Sequence, residues 1–182
     1  MTPIETLTQE ALQLFKNTKF NEAAEKFRSA LELQPDNLPI QSNLVSCLIG
    51  LKSLDEAEVM NSQILSHHPA HLPALKNQGV LLSLRGKLDE AIQCFEGMIQ
   101  KDSSDANLLS NLAQAYLRKG DRQKSESLFR QKLTLKPDDI NTISILANMT
   151  FADRKYKESL ELFEKLYLKS PENENLKSRL GT

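Results

Sequence analysis

The chain of 182 residues has no tryptophan, only 2 cysteines, 6 glycines and 7 prolines, and no excess of either charge. So few turn-forming residues exclude a sandwich or barrel of many short strands, which needs turn signals at close intervals. Cys47 and Cys94 show no C-x-x-C spacing, so neither a disulfide framework nor a structural zinc site is expected, and a reducing, cytoplasmic compartment is. With 23 Lys and Arg against 24 Asp and Glu, the formal charge of −1 gives no field to draw in nucleic acid or an anionic membrane. Long apolar runs are missing too. Met1 to Glu10 carries acidic residues, so neither a signal peptide nor a membrane span is expected. What the sequence holds instead is 40% hydrophobic residues among strong helix formers such as Leu, Glu, Lys, Gln and Ala, which points to an all-α fold.

The pattern repeats. Leu33-Gln34-Pro35, His67-His68-Pro69, Leu135-Lys136-Pro137 and Lys169-Ser170-Pro171 place prolines 34, 68 and 34 residues apart, and Ser103 stands where the missing member falls. A period of 34 divides the chain into five gapless units, 4–37, 38–71, 72–105, 106–139 and 140–173. Residues 174–182 remain as a capping helix or the start of a sixth unit, whose phase Leu180 and Gly181 continue. In register, slot eight holds Ala11, Val45, Gly79, Ala113 and Ala147, and slot twenty holds Ala23, Ala57, Ala91, Ser125 and Ser159. Slot twenty-four reads Phe27, Asn61, Phe95, Phe129 and Phe163. Small residues thus recur where helices must touch, and large ones where a gap must be filled. A polar break, as at Arg85-Gly86-Lys87 or Arg118-Lys119-Gly120-Asp121, separates two helical patterns, and Asn21, Asp55 and Asp89 at slot eighteen suit a helix N-terminus. Each unit reads as helix A, tight turn, helix B and a proline-marked loop.

This pattern resembles the tetratricopeptide repeat family, whose 34-residue unit favours a small residue at slot eight, Ala at twenty, an aromatic at twenty-four and Pro at thirty-two. The resemblance covers nearly the whole chain. It implies a right-handed superhelical α-solenoid of antiparallel helix pairs with a concave and a convex surface, because one pair cannot cover its own apolar face and neighbours must stack. Val45, Asn61, Ser103 and Lys132 depart from the pattern, the last at slot twenty-seven, which is usually small.

Helix A buries slots four, seven, eight and eleven, so slots two, five, six, nine, twelve and thirteen point the other way. In tetratricopeptide arrays that face lines the inner groove. Of its 30 positions only Glu5, Lys16, Lys76 and Arg118 are charged, where the overall composition would place about eight. Amides and hydroxyls replace the charges, together with the apolar Leu12, Phe15, Ile49, Val80, Leu84, Leu117 and Phe151. Such a lining suits a neutral or amphipathic polypeptide. Slot six reads Gln9, Asn43, Asn77, Asn111 and then Ile145, and Asn148 shares the face. A carboxamide donates and accepts at once and can bridge a peptide N–H and C=O. The run resembles the asparagine ladder of O-GlcNAc transferase superhelices, a resemblance that reaches only Asn43, Asn77 and Asn111. The alternative is that these amides bond neighbouring helices. The carboxylate clamp of chaperone-binding members is not matched, since Thr8, Leu12, Asn43, Pro73 and Asn77 lack its cations. Lys76 and Arg118, in adjacent units, could still hold one carboxylate.

The expected function is therefore a scaffold or adaptor that binds another protein, as an extended or helical segment, in the groove. Two alternatives stand beside it: a regulatory or targeting module of a larger protein, an enzyme included, and self-assembly through the terminal repeat. His67, His68 and His71 cluster, but Pro69 breaks the helix that an i, i+4 ligand pair would need, so no metal is expected. No nucleophile–base set or Gly-rich phosphate cradle is present, so no catalytic residues and no cofactor are expected. By units the charge runs −2, −2, −1, +3 and 0, the fourth owing its sign to residues such as Arg122, Lys124, Arg130 and Lys132.

Overall fold

The computed structural model describes residues 2–100, 103–169 and 171. Leu180 and Gly181, where a sixth unit is expected, lie outside the described residues. Among the described residues ten helices follow one another: α1 (Pro3–Lys16), α2 (Phe20–Leu33), α3 (Leu38–Gly50), α4 (Leu54–His67), α5 (Leu72–Leu84), α6 (Leu88–Ile99), α7 (Ala106–Lys119), α8 (Arg122–Leu135), α9 (Ile140–Ala152) and α10 (Tyr156–Lys169). Among the described residues there is no strand. Odd-numbered helices are the A helices of the repeat, and even-numbered ones the B helices.

The tight turns share one device. Slot fifteen of every unit, Thr18, Lys52, Gly86, Gly120 and Arg154, has φ between 59° and 92°. The next N–H then donates back to the carbonyl five residues earlier, as in Lys19 to Leu14 at 3.0 Å and Asp121 to Tyr116 at 2.9 Å. This closure satisfies carbonyls that the end of helix A would leave bare. Starts of the A helices α1, α3, α7 and α9 are capped by side chains. Thr2 and Glu5 form a reciprocal capping box on α1, while Asn37, Asp105 and Asp139 each accept from N–H groups of the turn they open. Slot eighteen falls in the first turn of helix B, where Asp55 and Asp89 face the positive end of the helix dipole.

Packing follows the repeat within each of the two compact units, Met1–Cys94 and Phe95–Thr182. In the first, α2 lies on α1 and α3, α4 on α3 and α5, and α3 touches α5 directly. Its core joins Ala11, Ala23, Phe27, Val45, Leu48, Ala57 and Leu81, all buried. The second stacks α7 through α10 over Ala113, Phe129 and Leu146, and over Ile143, Ala147, Phe163 and Leu166. Each buried phenylalanine contributes about 2–3 kcal/mol of burial.

Two departures from the pattern are absorbed by hydrogen bonds. Asn61 is wholly buried in the aromatic slot, and its Nδ2 donates to the Ala74 carbonyl at 3.1 Å and to Gln78 Oε1 at 3.2 Å. Its Oδ1 has no partner, which is costly for a buried acceptor. Lys132, 7% exposed, sends its ammonium between helices to Asp139 at 3.4 Å and to Ser110 Oγ at 3.4 Å. A small residue is replaced there by a charge whose partner caps the next helix.

Candidate peptide-binding surface

The residues of the expected groove lie on the A helices, and their environments divide them. On α1, Gln9 and Leu12 are exposed, Leu12 by 38%. They border a hollow of about 750 Å³ between α1 and the start of α3, whose lining also includes Ile4, Glu5, Thr8, Asn37, Pro39 and Ile40. Phe15 is half-buried, meeting Phe20 edge to face with ring centroids 5.3 Å apart. Phe20 in turn lies against Gly50, where a Cβ would come within 2.9 Å of the ring. Ile49 packs on the core from its half-buried position on α3.

The three asparagines do not share one setting. Asn77 is 8% exposed and its carboxamide reaches across to α3, Nδ2 donating to the Ser42 carbonyl at 3.0 Å and Oδ1 accepting from Ser46 Oγ at 3.0 Å. Ser42 Oγ and His71 Nε2 are hydrogen-bonded at 2.9 Å, so the network also takes in the loop before α5. His71 occupies the N-cap position of α5, where its side chain makes no capping bond. Asn43 and Asn111, by contrast, are half-buried with no side-chain hydrogen-bond partner among the described residues. The reading of slot-six amides as interhelical bonds describes Asn77, and the other two make no such bond.

Further along the face, Lys76 and Val80 are half-buried and Leu84 is 41% exposed at the end of α5. On α7, Leu117 packs against the Ala113 and Phe129 cluster, while Arg118 is exposed. On α9, exposed Asn148 donates to the Ser144 carbonyl of its own helix at 2.8 Å. Phe151, 55% exposed, meets Tyr156 edge to face at 5.6 Å, the same pair of slots that Phe15 and Phe20 fill in the first repeat. Sequence reasoning missed Lys132 as a contributor to this surface, because it stands on a B helix. Its ammonium nonetheless reaches Ser110, a groove position, and the only signal was a lysine in a slot that normally packs.

Several cations of the fourth and fifth repeats pair with carboxylates of the same chain. Arg122 pairs with Asp153 at 3.0 Å, Arg130 with Glu158 at 2.6 Å and also with Glu126, and Lys155 with Glu126 at 3.3 Å. The hydrogen bond from Arg130, then that from Lys155, holds the Glu126 carboxyl below its usual range against the opposing effect of burial. For Asp139 burial pushes upward, but the hydrogen bonds from Thr142 and the charge of Lys132 outweigh it and hold the carboxyl down. Burial pushes the Cys47 thiol up to about 11, against a weaker opposing pull from Arg28, which makes it a poor nucleophile. Among the described residues no cluster of His, Cys, Asp and Glu is arranged to hold a metal ion, and no helix is long and apolar enough to cross a membrane.

Helix pairs of nearly equal length, closed by the same turn, accompany a match to the family model described as tetratricopeptide repeat over residues 14–77 and 82–148. The chain belongs to the tetratricopeptide repeat family. The fold is shared with a thermophilic tetratricopeptide protein of Thermus thermophilus, at a TM-score of 0.80 and 20% identity over 98% of this chain and 97% of that one. In sequence it is similar to the BBSome complex member BBS4 of Bos taurus, 29% identical over 80% of this chain and 28% of that protein. It is also similar to the DnaJ homolog subfamily C member 7 homolog of Schizosaccharomyces pombe, 29% identical over 63% of this chain and 25% of that protein. The chain spans about a quarter of the length of these curated relatives. Tetratricopeptide folds serve as scaffolds for protein interaction, and this chain has that fold.

Proposed function

We propose that the chain is a tetratricopeptide adaptor that binds a segment of another polypeptide against the exposed faces of its A helices. One observation carries the reading: the hollow of about 750 Å³ beside Gln9 and Leu12, bordered by amides, hydroxyls and aliphatic side chains. Concave, largely apolar surface with a few polar groups is what a peptide side chain and its flanking amides require. Asn43 and Asn111 would supply main-chain contacts that set register, while binding energy would come from covering Leu12, Leu84 and Phe151, at about 25 cal/mol per Å² before ordering costs. Its location in the cytoplasm belongs to the same proposal, as does the absence of catalytic, metal and nucleic-acid roles.

Photo-crosslinking tests the reading. A photoreactive amino acid at Thr8 or Asn111, introduced in the native cell, should trap a partner that the same group at exposed Glu25, on helix α2, does not. Equal trapping at all three positions, or none, would refute it. A second reading has its own support, because relatives several times longer carry this stretch as a part. On that view the chain is the interaction module of a larger protein, and an immunoblot of native extract showing a band much above 20.5 kDa would favour it.

A further inference from the structure

The hollow between α1 and the start of α3 is specific in its charge. Among the described residues that line it, Ile4, Leu12, Pro39 and Ile40 are apolar, Gln9 is an amide, and Glu5 alone is charged. Glu5 spends Oε2 on the Thr2 N–H at 2.9 Å in the capping box, leaving Oε1 for another donor. Among the described residues that line the hollow there is no lysine, arginine or histidine to answer that carboxylate. Lys16, the other groove charge on α1, is eleven residues on, roughly 16 Å along the helix. The first two repeats carry net charges of −2 and −2, so a cationic ligand meets a favourable field over this part of the chain.

From this we infer that the hollow seats an aliphatic side chain of an extended segment whose neighbouring residue is lysine or arginine, the cation meeting Glu5. The inference rests on the groove reading above and narrows it to a ligand chemistry. The lining fits an aliphatic group, since most of its surface is apolar while the amides and hydroxyls among it can satisfy the peptide on either side. The charge selects the neighbour. An acidic residue there would face Glu5 with no cation in the lining to offset it.

Selection from a displayed library of random heptapeptides against the full chain tests it. Enriched peptides should pair an aliphatic residue with an adjacent Lys or Arg. A synthetic peptide of that class should bind at least tenfold more weakly to Leu12→Arg, which fills the hollow with a cation. It should bind about threefold more weakly to Glu5→Gln, which keeps a capping oxygen, with the difference shrinking in high salt. Changing the aliphatic residue to Ala or the basic one to Glu in the peptide should cause the same losses without altering the protein. Peptides that need Leu12 but are neutral or acidic would overturn this inference and leave the groove reading standing. Failure to enrich any peptide sensitive to Leu12→Arg would overturn it as well, and if crosslinking at Thr8 and Asn111 were also silent, the groove reading would fall with it.

Discussion

At the scale of single residues the repeated tight turn is where local strain is stored. All five repeats put slot fifteen in the left-handed region, yet only Gly86 and Gly120 are glycine, while Thr18, Lys52 and Arg154 hold φ near 60° with a side chain attached. That conformation costs a non-glycine residue about 1 kcal/mol. Lys52→Gly and Arg154→Gly should therefore raise stability by up to about 1 kcal/mol each, less whatever the freer unfolded chain takes back. Gly120→Ala should lower it by about the same amount through the backbone alone, since nothing lies within 4 Å of the added Cβ. Urea unfolding of the three variants decides the matter, and a stabilised Gly120→Ala would contradict it. The asparagines separate in the same experiment. Asn77→Ala strips two hydrogen bonds from α3 and should cost about 1–3 kcal/mol. Asn43→Ala and Asn111→Ala should leave the transition within about 0.5 kcal/mol of its original position. Their effects should appear in partner binding instead.

Elements were legible in the sequence because residue type recurs at the same slots of a 34-residue period. Caps at Asn37, Asp105 and Asp139, and the small residues at slots eight and twenty, are written in residue type and spacing. The left-handed turns at Thr18, Lys52 and Arg154 were not, since a side chain there carries no local mark of positive φ and only the repeat imposes it. Nor could the sequence say that Asn77 would find Ser42 and Ser46 while Asn43 found nothing, because that depends on how closely two helices approach. Lys132 shows both sides of this. Its misfit at slot twenty-seven was visible, whereas its partner, the α9 cap Asp139, was a matter of tertiary geometry. The pair yields a double-mutant test. Asp139→Asn keeps a capping oxygen for Thr142 and removes only the charge, so beside Lys132 it should cost about 3 kcal/mol by stranding a buried ammonium. In a Lys132→Met background, where slot twenty-seven resembles Met98 and Leu166, the same change should cost less than about 1 kcal/mol. Equal losses in both backgrounds would show that Asp139 acts as a cap alone.

At the scale of the whole molecule, hydrophobic burial at repeated slots builds both compact units and ion pairs link helices in both, but in the second, Phe95–Thr182, three paired carboxyls are held below their usual range. Glu126 is kept low by Arg130 and Lys155, and Asp138 by the hydrogen bond from Lys169. Asp139 is kept low by Thr142 and Lys132 against its burial. A carboxyl whose folded pKa lies below its unfolded value contributes its stability in full above that unfolded value, about 4 for these side chains. The contribution is lost as pH falls through the folded pKa, because the folded form then takes up protons less readily than the unfolded chain. Stability of this unit should thus hold steady from neutral pH to about 5 and decline below about 4. Amide exchange followed by mass spectrometry across that range should show α8, α9 and the start of α10 losing protection on acidification. Glu126→Gln and Asp139→Asn together should flatten the dependence, since neither side chain then changes charge. If protection in these helices fell equally steeply in the double variant, the ion pairs around Glu126 and Asp139 would not be what couples this half of the protein to pH, and repulsion among its remaining cations would have to account for the loss.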